Sequence, residues 1–205
     1  MVKRRLIFID FEFSMADAHM DYAGFYPEII EAGIVVAEQG AIVETYSSYI
    51  TPRAFPKLTD RCKRFLKITQ AQVDDGQPLA GLVTLLSGLN QSEQDQIITW
   101  GNMDMKVLRR NCEKAQLTFP LKGMFVDLSM EYKKFFGDRN QTGLWDAVEE
   151  YGKEGTGRHH RALDDALTTY HIYNLVEKDK KYMEKSEPPK IGDLVDFSKL
   201  FDQMA

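Results

Sequence analysis

Cysteine is scarce in this chain: Cys62 and Cys112 are the only two in 205 residues. A disulfide-stapled fold needs more cysteines in a smaller chain, so both read as free thiols of a reducing cytoplasm. No stretch approaches the roughly 18 apolar residues of a membrane span. The apolar run near the N-terminus, Leu6-Ile7-Phe8-Ile9, is broken by Asp10 and Glu12 and is too short for a signal-peptide core. There is no surplus of positive charge either: 26 Lys and Arg stand against 31 Asp and Glu, a net charge of −5. That balance does not advertise a nucleic-acid binder. It does not exclude one, because acids gathered around metals and bases lining a groove give the same total. Internal repeats and low-complexity segments are also lacking. What is present is a 43% hydrophobic composition, which excludes a mostly disordered chain. The length suits one domain, or one domain plus a tail.

The hydrophobic pattern alternates between strand and helix. Leu6 to Phe13 reads as a buried strand, rich in aromatic and β-branched residues. Ile29–Glu38 and Ala41–Ile50 read as two more, joined by a hairpin at Gln39-Gly40. The segment from Thr51 to Leu66 holds Pro52 and Pro56 and is expected to be irregular. Thr69-Gln70-Ala71-Gln72 has the form of a capping box, opening a short helix that stops at Gly76. A helix is expected from Pro78 to about Leu89, a strand over Gln96–Trp100 and an amphipathic helix over Asp104–Ala115. Val107 and Leu108 of that helix face inward and Lys106, Arg109 and Arg110 outward. A strand over Met124–Leu128 follows, then helices near Ser129–Phe136, Thr142–Tyr151 and Ala162–Lys178. This order predicts an α/β domain with a mixed sheet, antiparallel at first and parallel later. Residues 1–180 form the domain. Residues 181–205 are expected to form a C-terminal tail, with Val195, Phe197, Leu200 and Phe201 able to dock back onto the domain.

Three short segments carry chemistry. Asp10 and Glu12 lie two apart at the end of an apolar strand, so both carboxylates leave the same face. Such a pair is costly to bury unless a cation sits between them, and hard divalent cations take oxygen ligands. Asp104 follows a strand and opens a helix; its ordinary reading is a cap that complements the helix dipole. His159-His160-Arg161-Ala162-Leu163-Asp164-Asp165 follows Gly152, Gly155 and Gly157 and enters the last long helix. A histidine there titrates near neutral pH and can take a proton from water. His19 and His171 read as surface residues, Trp145 as core packing and Trp100 as either core or site.

Taken together, these segments resemble the DEDDh (DnaQ-like) 3′-5′ exonuclease family. Phe8-Ile9-Asp10-Phe11-Glu12-Phe13-Ser14 matches its first motif, Asp104 the second, and His160 with Asp165 the third; His159 and Asp164 have the same spacing but are the wrong neighbours in the register that the resemblance implies. Glu28-Ile29-Ile30-Glu31-Ala32-Gly33 and Phe65-Leu66-Lys67-Ile68-Thr69-Gln70-Ala71-Gln72-Val73 resemble the subgroup related to the eukaryotic small-RNA and histone-mRNA exonucleases. Lys67 and Ile68 depart from the commoner Thr-Gly before Ile in that second stretch. The resemblance implies a ribonuclease-H-like fold, a mixed five-stranded sheet flanked by helices. It implies two divalent metal ions, Mg²⁺ or Mn²⁺, held by Asp10, Glu12, Asp104 and Asp165, with His160 as general base. The partner it implies is the 3′ end of a single-stranded nucleic acid, RNA rather than DNA, and no membrane.

Two metals can stabilise both the attacking and the leaving oxygen of a phosphodiester. The resemblance implies that backbone groups of Phe13 and Ser14 hold the terminal sugar. Leu66, Trp100 and Met103 are candidates to wedge the last bases. Lys63, Arg64 and Lys67, and Lys106, Arg109 and Arg110, are two basic clusters that could guide the strand. The resemblance also takes in a bacillus inhibitor of sporulation. A rival reading is therefore a regulator that binds a protein partner on an exonuclease scaffold, but a regulator that had abandoned catalysis would be expected to have lost at least one of these acids.

Overall fold

The computed structural model describes residues 4–17 and 24–185. The expectations for His19 and for the tail residues Val195, Phe197, Leu200 and Phe201 lie outside them. The elements run β1 (Arg5–Phe13), β2 (Ile29–Glu38), β3 (Ala41–Thr51), α1 (Asp60–Leu66), α2 (Gln70–Asp74), β4 (Gln77–Pro78), α3 (Leu79–Leu89), β5 (Gln96–Thr99), α4 (Met103–Ala115), β6 (Met124–Asp127), α5 (Leu128–Phe136), α6 (Leu144–Glu150) and α7 (Ala162–Lys185). Contacts divide the chain into a unit of residues 1–172, which carries every strand and candidate site residue, and a second of residues 173–205.

The sheet order is β4-β3-β2-β1-β5-β6. β1 pairs antiparallel with β2 and β2 with β3, while β1–β5, β5–β6 and β3–β4 are parallel. The mixed α/β architecture is as expected, but the sheet has six strands rather than five. The extra one, β4, is a two-residue edge beside Ile50 and Thr51, too short to leave a periodic signal. The second correction is α1, which replaces the irregular segment expected up to Leu66. Thr59 caps it, its hydroxyl accepting from the Cys62 amide at 3.1 Å. The prolines stop short of it, and seven residues are too few to show a helical stripe. The capping box at Thr69 and Gln72 forms as expected.

β1 is central, so both of its faces are covered and its sequence reads as an almost unbroken apolar run. Ile7, Ile9 and Phe11 join the core built with Leu82, Leu86, Val107 and Leu108 of α3 and α4. Alternation sends Phe8, Asp10 and Glu12 to the other face, where the Phe8 ring meets Tyr170 of α7 edge-on at 5.3 Å. α7 is seated there by Gly33, which pairs with Asp10 across the ladder. A Cβ on Gly33 would lie 2.0 Å from the Ala162 carbonyl carbon and 2.1 Å from the Leu163 nitrogen. Gly33→Ala should therefore push the start of α7 off the sheet. Overpacking of this kind costs about 1–3 kcal/mol or more, and thermal denaturation should show a drop of several degrees together with loss of activity. An unchanged melting temperature would mean that this close approach is not needed.

Candidate active site

The three parallel strands β1, β5 and β6 end on one edge of the sheet, and the crevice outside such carboxyl ends is where α/β sheets place their ligands. The parallel register sets Phe8 beside Ile98, so β5 ends just short of the level of Asp10. The chain then turns through Gly101, with φ of 97°, and enters α4. This brings Asp104 to β1, where its Oδ1 accepts a 2.9 Å hydrogen bond from the Phe11 amide. Asp165, in the first turn of α7, arrives from the opposite face of the sheet. Asp10 and Glu12 from the strand, Asp104 from one helix layer and Asp165 from the other thus meet at one edge.

Ligand atoms of Glu12, His160 and Asp165 all lie within 4.8 Å of one another. Glu12, Asp104 and Asp165 are buried and Asp10 is partly exposed. Burial pushes the Asp10 carboxyl well above its ordinary range, and the charges of Asp104, Asp165, Glu12 and Glu31 push it the same way. Burial, then Asp165 and Glu31, raise Glu12 to about 8. Burial raises Asp104 to about 7 against the opposing hydrogen bond from Phe11. A site that crowds carboxylates together out of water favours protons or cations, and this all-oxygen set with one imidazole suits a hard divalent ion. Among the described residues, the buried oxygen Glu31 Oε2 has no hydrogen-bond partner, while Arg161 pairs with the same carboxylate through Oε1.

These shifts fix a pH dependence. A carboxyl raised in the folded state stabilises the protein below its unfolded pKa, and that contribution is lost as pH rises through the folded value. With Glu12 at about 8 and Asp104 at about 7, the metal-free protein should lose several degrees of melting temperature between pH 5 and 8.5. Thermal denaturation with chelator checks this, and saturating Mg²⁺ should remove most of the loss. A flat profile in chelator would argue that the acids are not crowded.

The third motif is held by hydrogen bonds from several directions. The His160 amide donates to Asp165 Oδ2 at 3.1 Å, and Trp145 Nε1 donates to Asp165 Oδ1 at 2.8 Å. His160 adopts φ of 62°, uncommon for a non-glycine residue and frequent where a site holds strain. Its ring stacks on His159 at 3.9 Å and meets Phe65 at 4.4 Å, while His159 meets Trp145 at 4.9 Å. Asp164 points elsewhere, its Oδ2 accepting from the Arg158 amide at 2.7 Å beside Gly157. Arg161 bridges Glu31 at 3.1 Å and donates to the Tyr49 hydroxyl at 2.6 Å, tying the start of α7 to β2 and β3. Burial lowers the His160 imidazole, with His159 and Lys67 adding to it, which favours the neutral ring that can accept a proton.

The expected substrate residues fall into different settings. Met103 is 52% exposed at the start of α4. Trp100 is partly buried, donates Nε1 to the Thr142 carbonyl at 3.1 Å and packs on Tyr132. Ser14 is committed to Glu28: its amide donates to the Glu28 carbonyl and its hydroxyl accepts from the Glu28 amide. The Phe13 carbonyl accepts from the Cys62 thiol. Leu66 is 2% exposed, packed with Cys62 and Val73, whereas its neighbour Phe65 is 50% exposed. Lys67 follows in a left-handed conformation at the end of α1, φ 53°, where glycine is the residue with no steric cost. Of the second basic cluster, Arg109 lies over Phe119 and Arg110 over Tyr26.

Sequence reasoning missed Phe65, Trp145 and the Glu31–Arg161 pair as parts of this site. Only the cross-strand register of Glu12 with Glu31 could have suggested the last. Comparisons with known proteins agree with the geometry. The exonuclease family RNase_T matches residues 7–173. The chain is 56% identical over 200 residues to the probable 3′-5′ exonuclease KapD of Bacillus subtilis (strain 168), covering 98% of each. It is 30% identical to ERI1 exoribonuclease 2 of Homo sapiens over 80% of its own length, but spans only 27% of that protein. Among solved structures it is similar to the nuclease domain of 3′hExo, a DEDDh family member bound to rAMP, with a TM-score of 0.76 and 26% identity over 87% of this chain and 94% of that one. A 3′-exonuclease that recognises the histone mRNA stem-loop matches with a TM-score of 0.75 and 26% identity, over 86% of this chain and 83% of that one.

Proposed function

This chain belongs to the RNase_T exonuclease family and is a 3′-5′ exonuclease of the DEDDh group, and on that premise we propose that it removes 5′-monophosphates from the 3′ end of single-stranded RNA. The observation that carries the reading is the convergence of Glu12, His160 and Asp165 within 4.8 Å, beside Asp10 and Asp104, at the carboxyl edge of the sheet. Asp10, Glu12, Asp104 and Asp165 would hold two divalent ions, Mg²⁺ or Mn²⁺. Once bound, such a pair lowers the pKa of water and neutralises charge on the phosphoryl oxygens.

The protein's own residues do the rest. Water attacks the last phosphorus, the bond to the 3′ oxygen of the penultimate nucleotide breaks, and His160 takes the proton of the attacking water. Phe65 offers an exposed ring beside His160 for the terminal base, since Leu66 turns into the core. Trp100 and Met103 flank the entry to α4 as further base contacts. Phe13 and Ser14 border the sugar at the end of β1, although the Ser14 amide and the Phe13 carbonyl are already engaged by Glu28 and Cys62, and Lys67 gives the cleft a cation near His160. RNA is favoured over DNA because the ERI1-named relatives are exoribonucleases by name. Among the described residues, no helix is long and apolar enough to cross a membrane.

The test uses a 5′-labelled single-stranded RNA, the matching DNA and a 3′-blocked RNA, each with Mg²⁺ or Mn²⁺ and with chelator. A metal-dependent ladder receding from the 3′ end, faster on RNA, is the expected result. Equal or faster loss of DNA would overturn the RNA assignment. Folded protein that shortens neither strand would overturn the catalytic reading.

A further inference from the structure

Trp145 reads from sequence as core packing, yet only part of its surface is buried and its one polar atom is aimed at an acid of the site. Asp165 receives two donors, the Trp145 indole on Oδ1 and the His160 amide on Oδ2, one on each oxygen. Rotation of the carboxylate would break both bonds. The indole ring also ends a column of four rings, Trp145, His159, His160 and Phe65, at successive centroid distances of 4.9, 3.9 and 4.4 Å. His160, the third ring of the column, has a left-handed backbone. The loop before it is built around the indole: a Cβ on Gly155 would lie 2.3 Å from the Trp145 ring. The contact with Gly155 falls on the six-membered ring of the indole and the contact with Asp165 on its N–H, so the directed hydrogen bond is an observation separate from the packing.

We infer that Trp145 is a positioning residue of the active site: its indole N–H fixes the Asp165 carboxylate for metal binding, and its ring carries the histidine pair that presents His160. The inference rests on the reading of Asp165 as a metal ligand. Partners that orient a ligating side chain through its remaining atoms change metal affinity or activity by about 10- to 100-fold when removed.

Trp145→Phe deletes the donor and keeps a smaller aromatic ring, so any loss of packing is read separately from the melting temperature. Its Mn²⁺ affinity, measured on the protein without substrate from the free-ion electron paramagnetic resonance signal, is expected to fall about 10- to 100-fold. At saturating Mn²⁺ its kcat should recover most of the wild-type value. A purely structural indole would lower the melting temperature and leave Mn²⁺ affinity unchanged well below that temperature, and this result overturns the inference. Wild type that binds no Mn²⁺ would overturn the metal reading itself, whereas wild type that binds while Trp145→Phe binds equally well overturns only the role of Trp145. If Trp145→Phe does not fold, the wild-type protein decides. Its two indole N–H signals are separated by nuclear magnetic resonance, with Trp100→Phe as the assignment. The Trp145 signal should shift on Mg²⁺ addition, and a Trp145 signal unmoved at saturating Mg²⁺ overturns the proposal.

Discussion

Asp10→Asn is expected to reduce exonuclease activity by about 10⁴-fold or more while making the metal-free protein more stable. The first half follows from the way the acids act as a unit: removing one member of such a set costs nearly as much as removing several. The second half follows from electrostatics. Burial and the surrounding acids hold the Asp10 carboxyl well above its ordinary range, so the fold disfavours its charged form. An amide of the same shape carries no charge to disfavour. The melting temperature in chelator should therefore rise by a few degrees, and the increase that Mg²⁺ gives wild type should largely vanish. Opposite movements of activity and stability mark a residue kept for function at a cost to the fold. Loss of both would mean that Asp10 is structural, and retention of activity would remove it from the site.

His160→Asn is expected to behave differently. Asparagine tolerates the left-handed backbone that His160 occupies, so the substitution leaves the turn intact. It cannot accept the proton of the attacking water. A general base contributes about 10²–10⁴-fold, so kcat should fall by that factor while KM for a short RNA and Mn²⁺ affinity change only a few-fold. A loss of kcat below about 10-fold would show that another group or bulk water takes the proton. Loss of Mn²⁺ binding together with kcat would instead make His160 a ligand, which its position within 4.8 Å of Glu12 and Asp165 allows. Trp145→Phe should give the complementary pattern, weaker metal binding with kcat restored by excess metal.

Local signals were legible where the physics is local. Alternation placed Asp10 and Glu12 on one face of β1, and the structure keeps them there. The capping box at Thr69 and the amphipathic stripe of α4 also formed as read, because caps and stripes depend only on neighbours within a turn or two. α1 and β4 escaped because seven- and two-residue elements carry too little periodicity to stand out.

The amino-acid order by itself determined which residue types stand at which spacing. It thereby determined the family and the α/β class, and it singled out four acids and a histidine as the candidate site, all of which are matters of pattern along the chain. Only the tertiary structure decided what lies beside them. Phe65 rather than Leu66 reaches the cleft because α1 turns one residue into the core and its neighbour out. Trp145 reaches Asp165, 20 positions further on, because α6 and the start of α7 close on each other across Gly155. Arg161 reaches Tyr49, 112 positions away, because Gly33 lets α7 lie directly on the sheet. Contacts between residues so far apart in the chain depend on how whole elements pack, and packing leaves no periodic trace in either segment alone.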